Sequence, residues 1–246
     1  MGIADKLTTI AENIPKVYQA GYEKGVAEGG GDSWYDTFWD NFQQNGERNV
    51  YSYAFYGGGW NDEIFKPKYK FINANVYSFE RMFSNASGGI TKITPELFDY
   101  DRMKSYYGSY MFYAADIKSI ELSMKRNSSI AHMFRDCKAE TIILHDWSGH
   151  AYDRTFESCS KLKHLRIEGT IGGSRTFNLS SSPLDAESIR HIIGNLSDTT
   201  NGIAISFLTS AVNNAFETAE GLADGSTSAE WLALVATKPN WTISLA

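Results

Sequence analysis

One pattern of apolar and small residues recurs along the middle of the chain, from Tyr77 to Thr176. Each unit begins with a phenylalanine, has a small residue three places later, and continues with aliphatic residues at the spacing of a β-strand. The last three intervals between these phenylalanines are 22, 22 and 21 residues, and the first is 29. The units begin at Phe83, Phe112, Phe134, Phe156 and Phe177.

A fixed period of this length predicts stacked repeats, because one such unit is too small to bury a core of its own. Stacking places each phenylalanine over the next and aligns the aliphatic residues in the same way. We therefore predict continuous ladders of phenylalanine, small and aliphatic side chains inside the stack. Cys137 and Cys159 occupy equivalent small positions of adjacent units, so we expect buried fillers. A disulfide between them is the alternative.

The residues of one unit carry a resemblance to a known family. The phrase Phe-x-x-Cys-x-x-Leu-x-x-Leu-x-Ile resembles BspA-like leucine-rich repeats, and it is formed by Phe156, Cys159, Leu162, Leu165 and Ile167. The hydrophobic-x-Ser phrases of that class have counterparts in residues 50–55 and 76–79. The resemblance covers roughly residues 49–180, although the proline that often follows the strand is absent. It implies an α/β fold, a leucine-rich-repeat-like solenoid of short parallel strands repeating about every 22 residues.

The pattern changes at both ends of the repeats. Residues 1–28 are predicted to form a coiled-coil-like helix for oligomerisation or docking, and residues 29–31 a glycine linker. The aromatic-rich residues 32–70 are predicted to form an N-terminal cap, residues 71–182 the repeats, and residues 183–246 a C-terminal cap. Within that last segment we predict a helix from Leu184 to Leu196, a strand over 203–207, helices over 210–222 and 227–237, and a strand over 241–245.

The N-terminal helix has apolar residues at alternating spacings of four and three. Branched side chains on both seam positions favour a trimer or a higher oligomer. Pro15 kinks or divides the helix, and a single amphipathic helix lying on its own domain is the alternative. The predicted oligomerisation residues are Ile3, Leu7, Ile10, Ile14 and Val17.

Composition and charge narrow the possible partners. The formal net charge of −6 argues against nucleic acid as the main partner. No run of apolar residues is long enough to cross a membrane, and the first residues lack the features of a secretory signal. We therefore predict neither nucleic-acid binding nor membrane insertion, and assembly in the cytoplasm.

One cluster of potentially catalytic residues stands out, from His145 to His150. Two histidines and Asp146 could hold a metal ion in principle, but their spacing is not that of a known site. We predict a solvated loop after a strand, and no catalytic, metal or cofactor site. The chain is therefore expected not to be an enzyme.

The residues between the core aliphatics should point out of the predicted sheet. Side by side in parallel strands they would form an exposed ladder, the kind of surface through which solenoids bind. Ile143 is an apolar member of this ladder with no obvious reason to face water. An ordinary polar sheet face is the alternative. The ladder consists of Lys92, Thr94, Ser119, Glu121, Ser123, Thr141, Ile143, His145, His164, Arg166 and Glu168.

Both ends of the chain resemble parts of phage and prophage tail or baseplate proteins from Gram-positive bacteria. The resemblance is carried by residues 5–22 and 184–200. It implies a virion structural protein, joined to other virion proteins by its N-terminal helix and contacting a host-surface protein or glycan through the repeats. The alternatives are a bacterial adhesion or protein-interaction module and, from another class, a surface-polysaccharide hydrolase, which would need two carboxylates in a cleft.

Overall fold

The fold is described from a computed structural model over residues 54–63, 65–67, 70–71, 79–101, 106–125, 127–148, 154–172, 176–199, 203–216 and 225–246. The predicted helix over 1–28, with its oligomerisation residues, and the glycine linker over 29–31 lie outside these residues. Most of the predicted N-terminal cap also lies outside them.

Short strands dominate the repeat region, and helices enter after it. The strands are β1 (Ile90–Ile93), β2 (Tyr106–Tyr107), β3 (Ile117–Ser123), β4 (Asn127–Ser129), β5 (Thr141–Ser148), β6 (His164–Thr170), β7 (Phe177–Leu179), β8 (Ile203–Phe207) and β9 (Trp241–Leu245). The helices are α1 (Ala186–Gly194), α2 (Thr209–Ala215) and α3 (Ala229–Ala236), with 3-10 turns at Pro95–Leu97 and Gly225–Thr227.

Four of these strands form a parallel sheet in the order β1-β3-β5-β6. Equivalent residues of successive repeats face one another, as in the row Ile120, Ile142 and Leu165. These three side chains are fully buried, because each coil covers the aliphatic residues of its neighbour. The predicted α/β class with short parallel strands is therefore confirmed.

A ladder of phenylalanine rings runs through the core beside this sheet. The rings of Phe83, Phe112, Phe134 and Phe156 stack nearly parallel, with centroids 5.3, 5.6 and 5.4 Å apart. Phe55 extends the ladder at one end, 5.0 Å from Phe83. The ladder predicted from the repeat spacing is confirmed, and it reaches one turn further towards the N-terminus than the repeats that begin at Phe83.

The turn that carries each phenylalanine has the same backbone in four successive repeats. Residues two places before and two places after the ring have positive φ, between 53° and 61°. The rings are held in register by backbone bonds between coils, such as Phe112 N–H to the Met133 carbonyl at 2.8 Å. The left-handed residues are Arg81 and Asn85, Tyr110 and Ala114, His132 and Asp136, and Arg154 and Ser158.

The two cysteines are free and buried, as expected for small core fillers. The Cys159 thiol donates to the Phe134 carbonyl at 2.9 Å, and the Cys137 thiol to the Ala115 carbonyl at 3.5 Å. Burial raises the pKa of Cys137 to about 12 and that of Cys159 well above its usual range. Both thiols therefore stay protonated inside the stack.

A second parallel sheet, in the order β7-β8-β9, follows the repeats. The predicted helix after Leu184, the strand over 203–207 and the final strand are confirmed as α1, β8 and β9. The predicted helix over 210–222 is confirmed to Ala215 as α2, and residues 217–224 lie outside the described chain. Asp185 caps α1 by accepting a hydrogen bond from the Ser188 N–H at 2.8 Å.

The predicted solvated loop after Leu144 is wrong, because β5 continues to Ser148. Two residues of β5, His145 and Asp146, oppose a single residue of β6, which makes a β-bulge. Asp146 has a φ of 55°, a conformation that a short polar side chain tolerates well. The bulge returns Trp147 to the core, where it is 3% exposed. His150 lies outside the described residues.

Candidate functional site

The predicted ladder forms the outer face of the four-stranded sheet. Its first row across the strands runs Lys92, Ser119, Thr141 and His164, and its second runs Glu121, Ile143 and Arg166. The side chains of Lys92, His164 and Arg166 are 52, 58 and 55% exposed. We call these residues, together with His145 and Glu168, the sheet face. It offers a polar surface that extends over four neighbouring strands.

Three predicted members of the ladder differ from the expectation. Thr94 lies just beyond β1, where it precedes the 3-10 turn at Pro95–Leu97. Ser123 is wrongly placed on the exposed side: it is 8% exposed, and its hydroxyl donates to Asp146 at 2.6 Å. Ile143 is half-buried rather than fully exposed. Its neighbours across the sheet, Glu121 and Arg166, have long side chains that can cover part of it.

His145 bridges two carboxylates on the sheet face. Its Nε2 lies 3.0 Å from Glu121 on β3, and its Nδ1 lies 2.7 Å from Glu168 on β6. Lys92 extends the chain at one end, 3.4 Å from Glu121, and Arg166 at the other, 3.1 Å from Glu168. A continuous chain of ionisable side chains thus connects β1, β3, β5 and β6 across the face.

These contacts shift the pKa values of His145 and Glu168. Burial lowers the pKa of His145, but hydrogen bonds to Glu168 and Glu121 outweigh it, so that the pKa is raised. The hydrogen bond from His145 holds the pKa of Glu168 below its usual value. Both shifts favour the state in which His145 is protonated and Glu168 is ionised, at a pH between the ordinary pKa values of the two groups.

A depression of about 220 Å³ lies where the sheet face meets α1. Its sheet side is formed by predicted ladder residues, Thr141, Ile143, His164 and Arg166. Its helix side was missed from the sequence, because nothing in the helical pattern shows that α1 packs beside β6. The lining residues from α1 and its N-cap are Asp185, Glu187, Ser188 and His191.

The two sides of this depression are joined by a hydrogen bond. His164 Nδ1 forms a short hydrogen bond with the Asp185 carboxylate, which also caps α1. Burial raises the pKa of Asp185, but its bonds to Ser188 and His164 outweigh burial, and the net effect is a lowered pKa. Asp185 is therefore ionised at neutral pH and holds the rim of the depression in place.

The sheet face presents polar and apolar groups side by side. Among the described residues, no group of three His, Cys, Asp or Glu side chains is arranged to hold a metal ion. The face offers hydroxyl groups, a half-buried apolar residue and paired charges, which suit hydrogen bonding and packing against a partner. Within the described part of the chain, no helix has the length and apolar character to cross a membrane.

Comparison with known families agrees with this geometry. Residues 101–198 match the model of the BspA type leucine rich repeat region, in six copies. The middle of the chain is therefore similar to BspA-type repeats, which confirms the resemblance carried by Phe156 and Cys159 for that stretch. Repeats of this kind generally serve in protein interaction or adhesion rather than in catalysis. No curated protein and no solved structure matches the chain.

Proposed function

We propose that the chain is a non-enzymatic binding protein that holds a partner on its sheet face. The observation that carries this proposal is the continuity of the face across four parallel strands of consistent register. A rigid stack presents its outward side chains at fixed spacing, so binding loses little conformational entropy. The similarity of residues 101–198 to BspA-type repeats supports the same class of function.

The depression beside α1 is the proposed centre of the contact. It combines the half-buried Ile143 with the exposed Arg166 and His164. An apolar centre with polar groups around it is the usual composition of a recognition site. The proposed partner is a protein or glycan at a cell surface.

The proposed setting is a phage virion, in which the chain is a structural protein of the tail, baseplate or capsid surface that contacts the host. This part rests on the resemblance of residues 5–22 and 184–200 to phage tail and baseplate proteins. The N-terminal segment 1–28 would join the protein to other virion proteins and to its own copies, as a trimer. A bacterial adhesion or protein-interaction module is the second candidate, favoured by the match to the repeat family.

Binding of the purified protein to whole Gram-positive cells and to their wall glycans tests the site. Ile143→Asp and Arg166→Glu should each reduce binding at least tenfold with the thermal midpoint retained. Arg154→Glu is the matched control, because Arg154 is 59% exposed but lies in the turn that begins a repeat, away from the sheet face. Binding that survives both face variants removes the sheet face as the site, and release of reducing sugar would instead indicate a hydrolase.

Solution mass tests the oligomer. Deleting residues 1–28 should reduce the number of subunits in the assembly threefold if this segment forms the trimer. An assembly whose subunit number is unchanged by the deletion contradicts the proposed role of Ile3, Leu7, Ile10, Ile14 and Val17.

A further inference from the structure

The last strand, β9, has one edge without a partner among the described residues. The Ala246 N–H bonds to the Phe207 carbonyl, and the Thr209 N–H bonds to the Ala246 carbonyl. The backbone N–H and carbonyl groups of Ala246 therefore point towards β8. Because these groups alternate in direction along a strand, those of Ser244 and Thr242 do so as well. The backbone groups of Ile243 and Leu245 and the Trp241 carbonyl point away from β8, towards the edge.

In the four-stranded sheet, side chains close both edges. At β1, the Thr91 N–H donates to the Asp62 carboxylate at 2.8 Å. At β6, the Ser188 hydroxyl accepts from the Leu165 N–H at 3.0 Å. Proteins commonly block exposed strand edges in this way, because an open edge pairs with other chains.

Side chains of α1 and of its C-cap residue complete the closure of β6. The Ile167 carbonyl receives the Asn195 amide at 3.1 Å and lies 3.0 Å from His191 Nε2. No comparable side chain closes β9 within the described residues. The contrast with the four-stranded sheet marks β9 as an edge left open among the described residues.

The segment that contains β9 carries few charged side chains. Residues 229–246 contain only two charged side chains, Glu230 and Lys238. Glu230 pairs with Arg190 at 2.7 Å, and Lys238 pairs with Asp198 at 2.8 Å.

We propose that β9 pairs with β9 of a second copy of this chain, antiparallel, about a two-fold axis at Ile243. Ile243 would then face its own counterpart and exchange two backbone hydrogen bonds with it. The Leu245 N–H of each copy would donate to the Trp241 carbonyl of the other. The Trp241 N–H is not required, because it already bonds to the Lys238 carbonyl at 3.0 Å.

Two features favour a second copy over another partner. The net charge of −6 disfavours contact between copies of the chain, and residues 229–246, whose two charged side chains are both paired, are a place where two copies can approach. Pairing about the two-fold axis also places the side chains of like character from the two copies on the same face of the joined sheet. Half-buried Ile243 and Leu245 continue an apolar face, while Thr242 and Ser244 continue a polar one.

A cysteine cross-link tests the pairing and its register. In the proposed dimer, Ile243→Cys places two thiols on a directly opposed pair, with Cα atoms about 5.5 Å apart, within the range for a disulfide. Thr242→Cys is the matched control, because its counterpart lies on the diagonal at about 7–8 Å. The native cysteines are buried and do not interfere.

On mild oxidation of the full chain, Ile243→Cys should give a covalent dimer that reduction converts to monomer. Thr242→Cys should give no cross-link. No cross-link from folded Ile243→Cys overturns the proposal, and so does equal cross-linking by both variants. In the unsubstituted chain, the amides of Ile243 and Leu245 should exchange hydrogen more quickly on dilution. Exchange that is fast and independent of concentration also overturns it.

Discussion

Replacing Phe134 with alanine tests the stacked core at its centre. The ring is fully buried and lies between Phe112 and Phe156, with centroid distances of 5.6 and 5.4 Å. Removing a buried phenylalanine side chain costs about 3–5 kcal/mol in unfolding free energy, through lost burial and the cavity left behind. Phe134→Leu keeps much of the apolar volume but loses two ring contacts, each of about 0.5–1.5 kcal/mol. We therefore expect a cost of roughly 1–3 kcal/mol for leucine.

The assay is equilibrium unfolding in urea, followed by far-ultraviolet circular dichroism and extrapolated to water. Leu232→Ala is the control, because Leu232 is 56% exposed and should change the free energy by less than about 0.5 kcal/mol. A Phe134→Ala variant within about 1 kcal/mol of the unsubstituted protein would refute the reasoning, because no ring central to a continuous ladder can be lost at so small a cost.

Three further predictions concern the sheet face and the core around it. Gly169→Ala should lower the thermal midpoint markedly, because its Cβ would lie 2.2 Å from the Trp147 carbonyl oxygen at a φ of 128°; Gly194→Ala, with open space around it, should not. The decrease in thermal midpoint caused by His145→Gln should be largest between pH 4.5 and pH 6.5, the ordinary pKa values of glutamate and histidine. It should shrink above that range as His145 loses its proton and below it as Glu168 gains one, and a loss that grows above neutral pH contradicts the bridge. The thiol of Cys159 should resist alkylation until the protein unfolds, and rapid labelling of the folded protein contradicts its burial.

Much of the fold could be predicted from spacing alone. Intervals of 22 residues placed Phe112, Phe134 and Phe156 in one ladder, because equal coils must superimpose to bury their aliphatic residues. The same argument predicted that Thr141 and His164 stand side by side in the sheet. The phenylalanine ladder and the row of sheet residues both follow from the repeat period, which can be read from one sequence.

The details of the candidate site could not be predicted in this way. Strict alternation after Leu144 gives no sign that Asp146 adopts a left-handed conformation, and so no sign of the bulge that returns Trp147 to the core. Alternation likewise placed Ser123 on the exposed side, whereas its hydroxyl bonds to that same Asp146. Such contacts depend on single side chains brought together from different coils.

The packing of α1 against β6 was missed for a related reason. Ser188 occupies a helix position that the apolar pattern treats as unremarkable, yet its hydroxyl takes the place of a neighbouring strand for the Leu165 N–H. A residue that satisfies a backbone group some 23 positions away leaves no periodic trace in the sequence. The depression on the sheet face therefore could not be predicted from the sequence.

A double-mutant cycle between Phe112 and Phe134 tests most directly whether successive coils lie in register. Leucine at both positions should show a coupling free energy of about 0.5–1.5 kcal/mol in urea unfolding, because the two rings stack on each other. The same cycle between Phe83 and Phe156, which are separated by two intervening rings, should be additive within about 0.5 kcal/mol. Equal coupling in both cycles, or none in either, would contradict a core built from phenylalanines stacked one repeat upon the next.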